Sequence, residues 1–132
     1  MKVNELSTLD ITGLALGGKA LARLEGRVIF VDRGLPGDRV QARLTRSRRG
    51  WAEAHLERVV QPSSLRIEPR CPHVDYCGGC RLQDLRYDEQ LRIKRQQVVE
   101  TLQHLGGIAE PPVLDIVAAP EVFHYRNKME FS

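Results

Sequence analysis

The chain has few aromatic residues (5%), one tryptophan and only three cysteines in 132 residues. Its longest strictly aliphatic–aromatic run is Val28-Ile29-Phe30-Val31. A membrane-spanning helix needs roughly 20 apolar residues, so no membrane partner is expected. The opening Met1-Lys2-Val3-Asn4-Glu5 is polar and gives no secretory signal. An odd cysteine count does not make a disulfide framework, and a reducing, cytoplasmic setting is expected. Catalytic patterns are missing too. No carboxylates are paired for acid–base work, and no Ser/His/Asp or Cys/His set can be assembled. Gly13, Gly17 and Gly18 lack the Gly-Lys-Ser/Thr ending of a phosphate loop and read as a β-turn. There is no internal repeat and no low-complexity tract. What remains is a globular composition, 42% hydrophobic and 28% charged, enough for one domain or two small units.

The three cysteines are not scattered. Cys71-Pro-His-Val-Asp-Tyr-Cys77-Gly-Gly-Cys80 gathers all of them into one short segment. A Cys-x-x-Cys turn folds two sulfurs to the same side, where their thiolates can share a metal centre. Gly78 and Gly79 remove the Cβ atoms that would crowd that turn. Cys71 is the third candidate ligand, and the chain has no fourth cysteine. Two readings stand on spacing alone: an iron–sulfur cluster, or structural zinc with His73 as fourth ligand. The plain alternative is three reduced, buried thiols.

Charge is distributed more tellingly than its total of +3. From Arg39 to Arg70 there are eight arginines, three glutamates and no lysine, a local net of +5 (8 − 3). Arginine binds phosphate with a planar fork and stacks on bases, a chemistry suited to RNA. Arg43, Arg46, Arg48 and Arg49 are the candidate contacts, with Trp51 beside them for stacking. The competing reading is a solvated loop with the lone tryptophan packed inward as barrel core.

The expected fold class is mainly β. Five short strands are read at Asn4–Ile11, Lys19–Leu24, Arg27–Val31, Arg39–Thr45 and Trp51–Val60. Tight turns at Glu25-Gly26 and Leu35-Pro36-Gly37-Asp38 separate them, and such spacing suggests a small closed barrel. Gln61-Pro62-Ser63-Ser64 reads as a linker, and the cysteine segment has no period. A helix is expected from about Tyr87 to Leu105, with Leu91, Val98, Leu102 and Leu105 as its apolar face and Gly106-Gly107 as its stop. Val113–Val117 and Tyr125–Phe131 read as the first strands of an incomplete α+β unit. The expected domains are therefore 1–62 (barrel), 63–86 (cysteine loop) and 87–132 (helix and truncated unit), a fragment of something longer.

Four stretches together resemble the N-terminal part of the RNA uracil-5-methyltransferases, which use S-adenosylmethionine to methylate uridine C5 in ribosomal or transfer RNA. One is Gly17-Gly18-Lys19-Ala20-Leu21-Ala22-Arg23 with Gly26-Arg27-Val28-Ile29-Phe30-Val31 and Leu35-Pro36-Gly37-Asp38, similar to the small OB-like RNA-binding barrel called TRAM. The second and most specific is Cys71 to Cys80 followed by Arg81-Leu82-Gln83. Tyr87-Asp88-Glu89-Gln90-Leu91 with Lys94, and Tyr125-Arg126-Asn127-Lys128-Met129-Glu130-Phe131, complete the match. The resemblance implies a [4Fe-4S] cluster rather than zinc, held here by Cys71, Cys77 and Cys80. It also implies RNA as partner, ribosomal ahead of transfer. The family's fourth cluster cysteine, its cofactor fold, its cysteine nucleophile and its base have no counterpart in these residues. S-adenosylmethionine is thus expected only in a full-length protein, and this stretch alone is expected to be inactive. A free-standing zinc-stabilised RNA-binding module is the alternative. A radical methylthiotransferase fits poorly, because its cluster spacing is Cys-x3-Cys-x2-Cys and its barrel follows the cluster.

Overall fold

A computed structural model describes residues 2–74, 76–125 and 127–128. Five strands come first: β1 (Leu6–Leu14), β2 (Ala20–Leu24), β3 (Arg27–Val31), β4 (Arg39–Ser47) and β5 (Trp51–Gln61). One helix comes after them, α1 (Tyr87–His104). The strands close into a barrel in the order β1-β2-β3-β5-β4, with β4 returning to β1. The β3–β5 pair is parallel, and the other pairs are antiparallel. The expected mainly β class and five-stranded barrel are found, with strand ends shifted by a few residues.

Alternation dictates which side chains fill the barrel. Leu9, Ile11, Ile29, Val31, Val40 and Leu44 point inward with Ala20, Ala22, Ala42, Ala52 and Ala54, and all are buried. A five-stranded barrel has a narrow interior, so large aliphatics can enter only where alanines face them. The turns behave as their residues require. Glu25 and Gly26 both take positive φ (50° and 76°), which matches a two-residue hairpin turn to the strands' twist. Gly37 sits at φ 88°, and Asp38 N–H donates to the Leu35 carbonyl at 2.9 Å.

Asp38 ties the barrel to the segment that leads into the cysteine loop. Its fully buried carboxylate accepts from the Leu35 amide at 2.7 Å and the Ser63 amide at 2.8 Å. Arg66 then donates to both oxygens, Nε at 2.9 Å and Nη2 at 2.6 Å, and its Nη1 donates to Asp84. Burial alone would lower the Arg66 pKa. The hydrogen bond and charge of Asp38, and then of Asp84, outweigh it and hold the guanidinium above its ordinary value. Leu85, next to Asp84, is fully buried in the barrel's hydrophobic cluster, and Ile93 of α1 joins the same cluster at 7% exposure. Gln97 Nε2 donates across to the Leu14 carbonyl at 3.0 Å.

Two expectations need correcting. Of the expected apolar face, Leu91 and Leu102 are half-buried, but Val98 and Leu105 are not docked. Ile93 is the buried residue of α1, while Val98 is 50% and Leu105 84% exposed. Gln90, Ile93 and Gln97 share the docked stripe, and the two glutamines reach backbone carbonyls there. A glutamine whose amide donates to backbone carbonyls can sit on a docked face, so apolar spacing alone did not identify that face. Val113–Val117 forms no strand. It runs along α1 instead, its carbonyls at Val113 and Leu114 accepting from Arg95, and a strand needs a ladder partner that none of the described residues supplies. The expected strand Tyr125–Phe131 lies largely outside the described residues.

Candidate nucleic-acid interface and cysteine loop

The β4–β5 hairpin makes the basic tip. Arg48 N–H donates to the Trp51 carbonyl at 2.9 Å and closes the turn. Arg27 of β3 braces it, its Nη1 lying 3.4 Å from both Ser47 Oγ and the Arg48 carbonyl. A bulge precedes the turn: Leu44 pairs with Ala54, but Arg46 pairs with Glu53, leaving Thr45 as the extra residue. Strict alternation from Leu44 would send Arg46 into the core. The bulge turns it outward instead, where its guanidinium stands 5.5 Å over the Trp51 ring.

Trp51 is not barrel core. Ala52 and Ala54 face inward, so Trp51, Glu53 and His55 occupy the outer face of β5. Trp51 meets Phe30 edge to face, ring centroids 6.1 Å apart at 80°. The structure therefore assembles Arg46, Arg48, Arg49 and Trp51 at one end of the barrel. Arg43 is set apart on β4, with Nε donating to Glu57 at 2.6 Å and Nη1 to the Asn4 carbonyl at 3.2 Å. Sequence reading missed Phe30, Arg27, Lys19 and Glu53. Phe30 could have been found, because its buried neighbours Ile29 and Val31 fix its parity outward. Glu53 accepts from Lys19 Nζ at 2.8 Å. That hydrogen bond, aided by the charges of Lys19 and Arg46, holds its carboxyl below the usual range despite some desolvation.

The cysteine loop packs beside the barrel's other end. The Cys71 amide donates to Gln83 Oε1 at 2.7 Å, and the Cys77 amide to the His73 carbonyl at 2.8 Å. His73 Nδ1 and the Tyr76 hydroxyl hydrogen-bond, so the imidazole is engaged within the loop. A cavity of about 280 Å³ separates loop from barrel, with Cys77, Cys80, Arg33, Arg66 and Arg81 on its walls. Arg81 lies over Gly18, where an added Cβ would stand 3.0 Å from its Cδ.

All three thiols are free, with Cys77 and Cys80 exposed and Cys71 half-buried. Among the described residues no group of three or more His, Cys, Asp or Glu side chains is arranged to hold a metal. Soft thiolates suit an iron–sulfur cluster, and the arginine-lined wall suits its negative charge. Cys77 and Cys80 line the cavity and Cys71 lies outside that lining, so the three thiols are not gathered around one point.

Residues 2–56 match the model of the TRAM domain. An uncharacterized RNA methyltransferase of Nitratidesulfovibrio vulgaris is 49% identical over 127 residues, 95% of this chain and 27% of the relative. One from Gloeobacter violaceus is 47% identical over 94% of this chain and 27% of its own length. The 23S rRNA (uracil(1939)-C(5))-methyltransferase of Legionella pneumophila is 37% identical over 95% of this chain and 28% of its own. Among solved structures, the Pyrococcus abyssi tRNA (uracil-54, C5)-methyltransferase with S-adenosyl-L-homocysteine aligns with a TM-score of 0.51 at 30% identity. That alignment covers 73% of this chain and 21% of that one. The chain spans little more than a quarter of the length of these curated relatives.

Proposed function

We propose that this chain, whose residues 2–56 match the TRAM domain and which is similar to about a quarter of several RNA methyltransferases, is the RNA-gripping portion of a longer S-adenosylmethionine-dependent RNA (uracil-C5)-methyltransferase of the cytoplasm. Ribosomal RNA is the favoured substrate, following the name of the Legionella relative. In this reading the barrel binds and orients RNA, while methyl transfer belongs to parts of the full-length enzyme outside these 132 residues. Cys71, Cys77 and Cys80 would hold a [4Fe-4S] cluster whose fourth ligand comes from the rest of the protein. The cluster would supply a rigid anionic core for the loop and no electron transfer.

One observation carries the proposal. Three arginines and an outward tryptophan converge on a braced hairpin tip, although strand parity alone would have buried one of them. A basic tip beside an aromatic can hold backbone phosphate while a base stacks. Replacing Arg48 and Arg49 by Ala is expected to weaken RNA binding and to flatten the slope of log K against log salt by about 1 to 2. Titration of a fluorescent RNA at several salt concentrations reads this directly. An unchanged slope would remove the tip from the interface.

A further inference from the structure

The outer face of β3 and β5 carries more than the basic tip. Pairing lines up Leu21, Phe30, Glu53 and Arg46 as one lateral row, with Val28 and Trp51 as the next row toward the tip. Beside Phe30 the surface dips into a concavity of about 260 Å³ bounded by Lys19, Thr45, Glu53, Asp32 and His55. Its two carboxylates differ. Asp32 is committed, one oxygen to His55 Nδ1 at 2.6 Å and the other to the Leu56 amide at 2.8 Å. Glu53 uses Oε1 on Lys19 and has no hydrogen bond on Oε2 among the described residues.

From this we infer that the concavity receives one unpaired nucleobase, stacked on Phe30, with an exocyclic amino group donating to Glu53 Oε2. The inference rests on the RNA-binding reading above and narrows it from RNA to a single-stranded, base-selective contact. A half-exposed aromatic ring on a sheet is a stacking platform for any base. Selectivity comes from the carboxylate, which only accepts hydrogen bonds. Cytosine, adenine and guanine offer an amino N–H. Uracil offers one N–H between two carbonyl oxygens that a carboxylate repels. Lys19 and Arg46 flank Glu53 and offset its repulsion of the RNA backbone, and Lys19 holds it ionised. A duplex cannot present a base this way, since its bases are stacked and paired.

The test uses the whole chain with oligocytidylate, oligoadenylate, oligouridylate and a blunt RNA duplex at one salt concentration. Trp51 is the only tryptophan and touches Phe30, so its fluorescence reports on the site without a label. Oligocytidylate and oligoadenylate are expected to bind more tightly than oligouridylate or duplex, and to quench Trp51. Phe30→Leu should weaken all single strands by about 5- to 100-fold. Glu53→Gln should narrow the preference over oligouridylate from both sides, weakening oligocytidylate and strengthening oligouridylate, because the neutral amide no longer repels the uracil oxygens and can donate to them. Equal binding of duplex, or unquenched Trp51 in the unaltered protein, would overturn the inference, and neither depends on a variant folding. If the Arg48 and Arg49 changes weaken binding while Phe30→Leu and Glu53→Gln do not, the inference fails and the broader reading stands. If no RNA binds, both fail.

Discussion

Among individual residues, Asp38 makes the largest demand on the fold. Its side chain is fully buried, yet it accepts from two backbone amides and from Nε and Nη2 of Arg66. The Leu35-Pro36-Gly37-Asp38 motif is visible in sequence as a turn, but nothing there says that the aspartate is also the anchor for residues 63–84. Asp38→Ala would leave the guanidinium part-buried without its main partner. The expected loss is about 3–5 kcal/mol, since breaking a buried pair costs far more than the pair contributes net. Urea unfolding would measure it. A loss below about 1 kcal/mol would mean that water replaces the carboxylate and that the network is dispensable.

Elements show where apolar pattern is a sufficient guide and where it is not. In the barrel each strand alternates, and parity alone identifies Leu9, Ile29, Val40 and Ala52 as interior. The β4 bulge breaks that rule for Arg46 and could not be read in advance, because it depends on how β4 pairs with β5. Helix α1 was readable as a helix, with Asp88 and Glu89 in its first turn, but its docked face was not. Two glutamines flank the single buried isoleucine, and hydrophobicity gives them no weight. Ile93→Ala is therefore expected to cost about 2–5 kcal/mol, and Val98→Ala no more than about 0.5 kcal/mol. Thermal unfolding of the two variants decides it. The reverse order would restore the leucine–valine face as the packed one.

For the molecule as a whole, barrel, cysteine loop and helix share one hydrophobic cluster through Leu85 and Ile93. The described helix and the stretch after it also expose Leu105, Leu114 and Val117, apolar surface of the kind that a larger protein would cover. Material purified without oxygen is expected to be brown with broad visible absorption. With three thiolates from this chain the cluster should bleach in air, because an iron lacking its fourth thiolate is open to attack. Colourless protein holding stoichiometric zinc would instead support the zinc-stabilised binding module, and metal-free protein with freely alkylated thiols would remove the metal reading altogether.

Strand number, barrel class, the turns at Glu25-Gly26 and Leu35–Asp38, and the clustering of three thiols and eight arginines were all determined by local chain chemistry. Period, turn stereochemistry and spacing each involve neighbours in sequence, which is why they are legible there. The outward tryptophan could be inferred from parity only once the strand was granted. The salt-bridged anchor at Asp38, the outward Arg46, the Phe30–Glu53 concavity and the choice of helix face came from tertiary structure. Each joins residues far apart in the chain, across a ladder register or a packing interface, and only the closed barrel fixes which of them meet.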